Sequence, residues 1–171
     1  VQRLATQLEP DTLALNQAFT NDTFLQENGL TKETTLTLFI PNTYEFYWNT
    51  SAKKIADKMA KEHKKFWTNE RLEKAKALNM TPAQVYTLAS IVHKETVKAD
   101  ERPRVAGAYL NRINQDMPLQ ADPTVIYAIK ETSGDFDQVI KRVGGSNLFV
   151  KSPYNTYINK GLPPGPIAMP D

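Results

Sequence analysis

A mostly helical α+β fold, with a short β-sheet and a Pro-rich C-terminal loop region, is the class this sequence predicts. Three observations predict it. Apolar residues recur at helical spacing through most of residues 51–130. TLTLFIP, at 35–41, starts by alternating polar and apolar side chains, as a strand does. Pro153, Pro163, Pro164, Pro166 and Pro170 crowd the end and forbid long regular elements there.

Taken in order, Leu4, Leu8, Leu15 and Ala18 suggest helix over 1–19, broken near Pro10 and Asp11. Residues 21–31 are polar, contain Gly29, and read as loop. The 35–41 strand follows. Pro41 and Asn42 then turn the chain into TYEFYW, where four of the sixteen Phe, Tyr and Trp residues cluster. Ser51 can cap a long helix whose inner face carries Ile55, Met59 and Phe66 and whose outer face carries lysines. Residues 69–78 continue helically, and Asn79-Met80 breaks the run. Thr81 then offers a hydroxyl N-cap, Pro82 a first helical residue and Gln84 the return bond of a capping box. That helix should reach about Val97. Residues 103–114 form another amphipathic helix and 117–120 a short extended piece. Asp122 reads as the N-cap of a helix over 124–130, with Pro123 in its first position. Residues 136–143 read as a further short helix, ended by Gly144-Gly145.

With 171 residues, the chain is one domain, or one domain and part of another. Lys and Arg number 21 against 19 acids, a net charge of +2, which is too weak to argue for nucleic acid or an anionic membrane. There is no cysteine, which excludes a disulfide scaffold, a thiolate metal site and a thiol nucleophile. His63 and His93 alone are a poor basis for a metal centre, and none is expected. No run of 18 apolar residues is present. Both ends look cut, which leaves room for a membrane anchor outside this sequence.

The stretch LASIVHKETV, 88–97, places a carboxylate where its side of the helix matters. With Leu88 at the centre of the inner face, Glu95 lies about 20° away, and His93 and Lys94 about 140° and 120° away. Glu95 is therefore expected on the apolar stripe, with its neighbours outward. A dry carboxyl favours its neutral form and suits a general acid. A structural ion pair with Arg104 or Arg112 fits the same pattern.

Other segments carry polar groups suited to sugar. In ADPTVIY, Asp122 and Pro123 are explained by helix initiation, but Thr124 and Tyr127 form a hydroxyl pair three apart, expected to face solvent or a cleft. Asn111, Arg112 and Gln120 are donors that either line a cleft or pair with surface acids. SPYNTY and the following Leu-Pro-Pro-Gly-Pro offer aromatics and amides on a rigid loop. The basic helix with Phe66 and Trp67 is read as a solvated face. It lacks any nucleic-acid signature, and no nucleic-acid partner is expected.

Together SIVHKET, AYLNRI, MPLQADPTVIY, SPYNTY and GLPPGPI closely resemble, in order and spacing, the endolytic murein transglycosylases of the YceG-like family. FIPNTYEFY resembles that family's stretch ahead of the catalytic region. The resemblance implies that residues 36–171 are a catalytic domain lacking its C-terminal part and that 1–35 are the tail of a preceding small domain or a linker. It implies a bacterial enzyme anchored in the inner membrane, its catalytic region on the periplasmic side. Its substrate would be peptidoglycan, cut at the MurNAc–GlcNAc β-1,4 bond without cofactor, beside murein synthases. It makes Glu95 the catalytic acid. Gln120, Asp122, Thr124 and Tyr127 match the LQ-DPT-Y block, and Asn155, Thr156 and Tyr157 match YNTY. Asn111 and Arg112 join the expected substrate-binding set. His93 departs from the family, which often has a second Glu there. Three alternatives stay open: a muramidase in which Asp122 activates water, a glycan-binding scaffold domain, and a nucleic-acid-binding helical protein.

Overall fold

The computed structural model describes residues 1–171 and contains eight α-helices, two 3-10 helices and no strand. The expected α+β class with a short β-sheet is therefore corrected to all-α. The chain forms two compact units, Val1–Leu78 and Asn79–Asp171.

The first unit holds α1 (Gln2–Ala5), α2 (Thr12–Thr20), α3 (Asp22–Glu27), α4 (Ala52–Phe66) and α5 (Asn69–Ala77). Side-chain caps start four of them: Asp11 for α2, Asn21 for α3, Ser51 for α4 and Thr68 for α5. Leu15 and Phe19 of α2 meet Ile55, Ala56, Met59 and Ala60 of α4, with Leu38 completing the core. The segment expected as a strand instead forms a 3-10 helix, Thr35–Leu38. Its hydroxyls turn back on the local backbone: Thr35 Oγ1 donates to Thr31 O (2.9 Å) and Thr37 Oγ1 to Thr34 O (2.7 Å). Such bonds compete with ladder pairing, and no second strand offers an edge. Residues 21–31, expected as loop, contain α3 because Asn21 accepts from Phe24 N.

The second unit holds α6 (Pro82–Glu95), α7 (Arg102–Asn114) and α8 (Asp122–Ser133), followed by a 3-10 helix at Gly145–Phe149. The predicted capping box is formed: Gln84 N donates to Thr81 Oγ1 (3.2 Å) and Thr81 N to Gln84 Oε1 (2.8 Å). Helix α6 packs against both α7 and α8. Its Leu88, Ile91 and Val92 share a core with Tyr109, Leu119 and Ala121. The Pro-rich end docks on this core. Leu162 and Ile167 pack against it, and Ile167 N donates to Ser90 Oγ (3.0 Å). No helix forms at 136–143. Asp135 Oδ1 accepts from the N–H groups of Asp137 and Gln138, and Phe136 and Val139 stay exposed with no core to bury them.

Candidate active site

Glu95 is the last residue of α6. Its Oε2 accepts a hydrogen bond from Tyr109 Oη of α7 at 3.0 Å. Tyr109 is buried, whereas Glu95 is exposed. The expectation of a carboxyl buried on the apolar stripe is thus corrected. The 100° rule gives the side of the helix, but at the final residue no further turn of α6 covers that side. His93, expected outward, is half-buried and meets Asp171, which also approaches Arg102 (3.4 Å).

Four predicted residues, Arg112, Gln120, Asp122 and Tyr157, form hydrogen-bonded pairs in the same unit. Arg112 lies three residues after Tyr109, on the same face of α7. Its Nη1 donates to Leu119 O (2.6 Å), Pro118 O (3.2 Å) and Gln120 Oε1 (3.2 Å). Gln120 adopts a left-handed backbone, φ 52°, uncommon for a residue with a side chain. Its N–H donates to Thr156 O at 3.0 Å. Asp122 was expected to cap α8, but its side chain makes no cap bond. Its Oδ1 instead accepts from Tyr157 Oη at 2.6 Å.

Thr124, Asn155 and Thr156 lie inside the unit rather than on a cleft wall, at 0%, 0% and 1% exposure. Thr124 Oγ1 and Thr156 Oγ1 are 2.8 Å apart, and Thr156 Oγ1 also accepts from Ala121 N (3.1 Å). Asn155 donates to Leu148 O (3.0 Å) and Val150 O (2.9 Å) and accepts from Tyr157 N (3.0 Å). These buried bonds tie the start of α8 to the YNTY loop and so set Asp122 against Tyr157. Tyr127 lies apart from Thr124. Its ring packs on Tyr154 (4.6 Å) and Phe136 (5.8 Å), and it lines a cleft of about 300 Å³ with Lys94, Ile126 and Lys130. Asn111 is exposed on α7.

The charges of Glu95, Arg112 and Asp122 act on both tyrosine hydroxyls. Burial first, then the Glu95 carboxylate, pushes Tyr109 well above the usual phenol range. The Asp122 hydrogen bond first, then desolvation, pushes Tyr157 up to about 12. Both therefore remain donors at neutral pH.

Sequence reasoning missed Tyr109. The signal was its place on the apolar stripe of α7 with Val105, three residues before Arg112. No group of three or more His, Cys, Asp or Glu side chains is arranged to hold a metal, and no helix is long and apolar enough to cross a membrane.

A profile of the YceG-like family matches residues 1–171. A Bacillus subtilis protein described as an endolytic murein transglycosylase is 34% identical over 160 residues, covering 93% of this chain and 40% of its own length. A Streptococcus pneumoniae protein of the same description is 33% identical over 130 residues, covering 76% and 23%. The chain thus spans less than half the length of these curated relatives. The crystal structure of a YceG-like protein from Listeria monocytogenes superposes with a TM-score of 0.79 at 28% identity, covering 99% of this chain and 58% of that one.

Proposed function

The chain belongs to the YceG-like family, and from that premise we propose that it acts on murein as an endolytic lytic transglycosylase, with Glu95 as the proton-transferring group. The bond cut is the β-1,4 link from N-acetylmuramic acid to N-acetylglucosamine. Protonated Glu95 donates to the glycosidic oxygen as the C1–O bond breaks. The carboxylate left behind takes the proton of the muramic C6 hydroxyl, whose oxygen attacks C1 and closes a 1,6-anhydro ring. Glu95 ends protonated, and no water is consumed. One carboxyl serves both steps because the nucleophile belongs to the substrate.

The observation that carries this reading is the Tyr109–Glu95 hydrogen bond beside the Arg112–Gln120 and Asp122–Tyr157 pairs. Tyr109 fixes one carboxyl oxygen and leaves the other to face the strand. Asp122 adds negative charge, matched to the positive charge that develops at C1. Gln120, Tyr157, Arg112 and Asn111 are the substrate contacts, and Tyr127 borders the neighbouring cleft. Thr124, Asn155 and Thr156 act through the groups they position. Because Glu95 is exposed in the free protein, the bound strand itself must exclude water from it. Murein lies outside the cytoplasm, so the same reading puts this domain there, held by a membrane anchor elsewhere in a longer protein and working beside murein synthases.

A second reading draws on Asp122, whose carboxylate caps no helix and stands exposed in the cluster. Acting as base on water, it would make the protein a hydrolase. Purified murein treated with wild type or Glu95→Gln, followed by mass spectrometry, decides. The expected wild-type products end in anhydro sugar, one water lighter than reducing ends, and Glu95→Gln releases none. Reducing ends would select the hydrolase. Equal release by both proteins would remove Glu95 from the chemistry.

A further inference from the structure

Residues 42–50 run beside one face of α4 in the Val1–Leu78 unit, the face that carries Lys54, Lys58 and Glu62 at successive turns. Two open troughs of about 440 and 390 Å³ lie between them, sharing Glu45 and Lys58. The backbone of this segment is pinned at three carbonyls, those of Glu45, Tyr47 and Trp48, and the Tyr44 hydroxyl adds a side-chain tie. Lys58 Nζ donates to Glu45 O (2.5 Å) and sits 4.7 Å over the Phe46 ring. Tyr47 O accepts from both Thr50 N (3.0 Å) and Thr50 Oγ1 (2.7 Å). Glu9 N donates to Trp48 O at 2.8 Å, and Tyr44 Oη donates to Ile40 O at 2.5 Å.

Of the four rings this segment carries, Tyr44 and Phe46 pack against the core, yet Tyr47 is 85% exposed and Trp48 64%. Single exposed apolar residues are ordinary. Here Tyr47 lines the larger trough and Trp48 follows it in the chain, so two exposed rings on a fixed backbone offer a surface to a ligand without further ordering cost. The troughs also carry neutral polar groups. Asn42, Thr43 and Thr50 offer amide and hydroxyl groups. The Lys54 ammonium has no ion pair, while the neighbouring Lys53 is spent on Asp57.

We propose that this groove of the Val1–Leu78 unit, with the two rings beside it, is a second binding surface for the murein strand, resting on the murein-directed reading above. Sugar faces stack on Tyr47 and Trp48, the neutral polar groups bond to hydroxyl and acetamido substituents, and Lys54 meets a carboxylate of the peptide stem. An anionic bilayer fits less well, because Glu45 and Glu62 interrupt the cationic face.

The test uses the whole chain as Glu95→Gln, so that strands stay intact. Tryptophan emission is titrated with soluble uncrosslinked strands, with the same strands stripped of peptide by an amidase, and with phosphatidylglycerol vesicles. Stem-bearing strands should shift the emission, and Trp48→Ala should abolish the shift. Tyr47→Ala with Trp48→Ala should weaken strand binding about tenfold by calorimetry, with the thermal transition unchanged because both side chains are exposed. Lys54→Gln should weaken binding of stem-bearing strands only. Unchanged affinity in the double variant, or a response to vesicles but not to strands, overturns the proposal. Should the Glu95 chain release no fragments while strands still bind at Trp48, the catalytic reading fails and the groove stands. Normal fragment release with no Trp48 response leaves the reverse.

Discussion

The two units bury different chemistry. In Val1–Leu78 the buried side chains are apolar apart from Thr37. In Asn79–Asp171, Thr87, Ser90, Thr124, Ser152, Asn155 and Thr156 are all buried, and each has a hydrogen-bond partner. The difference follows from what each unit must hold. Helices α2 and α4 satisfy their own backbones and need only grease between them. The long stretch after α8 has little regular structure, so its backbone groups need side chains as partners. Those same bonds fix Asp122, Tyr157 and the Gln120 backbone. The second unit's polar interior is thus the scaffold of its site.

The contrast can be probed by spectroscopy because both tryptophans, Trp48 and Trp67, lie in the first unit, while five of the seven tyrosines lie in the second. Phe19→Ala should have the largest effect, about 4 kcal/mol of lost stability, because a fully enclosed ring leaves a cavity. Denaturant unfolding followed by tryptophan emission reads it. A loss below 1 kcal/mol would mean that the apolar core of the first unit is not what holds it. Asn155→Ala should come next, at about 3 kcal/mol, since it strands two carbonyls and an N–H. Near-ultraviolet circular dichroism at the tyrosine bands should register it, together with loss of murein cleavage. A neutral result would break the claim that buried polar bonds build the second unit.

The smallest effects are titrations, one on the acid side of neutrality and one in alkali. Burial depresses His63, whose Nε2 accepts from Trp67 Nε1 at 3.1 Å. A depressed histidine contributes stability present above its unfolded pKa, so the first unit should weaken as pH falls below about 6.5. Tryptophan-monitored melts check this, and His63→Gln should flatten the dependence. Tyr157, raised to about 12, contributes stability that is complete below the unfolded phenol value and is lost as pH climbs towards 12. Absorbance titration at the phenolate band should find this late-ionising tyrosine, and Asp122→Asn should bring it earlier.

Helix starts were the most legible part of the sequence. Thr81-Pro82 with Gln84, and Ser51 before its lysine-rich helix, carry local instructions that the fold obeys. The misread segments lacked such instructions or carried competing ones. At 35–41 the alternation was correct, but threonine hydroxyls bonded to their own turn and no partner strand existed. At 136–143 the composition allowed a helix that nothing covers. For the site, the motif blocks bring Glu95, Arg112, Gln120, Asp122 and Tyr157 together. Exposure did not follow from the wheel, because it depends on what lies beyond the end of α6. Thr124 on α8 and Asn155 and Thr156 in the following loop looked like ligand groups because a polar residue's identity gives no hint that nearby backbone, or another buried hydroxyl, will claim it.

Position 120 will filter substitutions twice. A side chain branched at Cβ resists its left-handed backbone, so valine, isoleucine and threonine should fail on conformation alone. Glycine and asparagine accept that backbone readily. Asparagine alone of the two also keeps an amide oxygen, though a shorter one, to offer Arg112. A saturation library sorted first for folding and then for murein cleavage should therefore shrink in two distinct steps, and glycine should survive only the first.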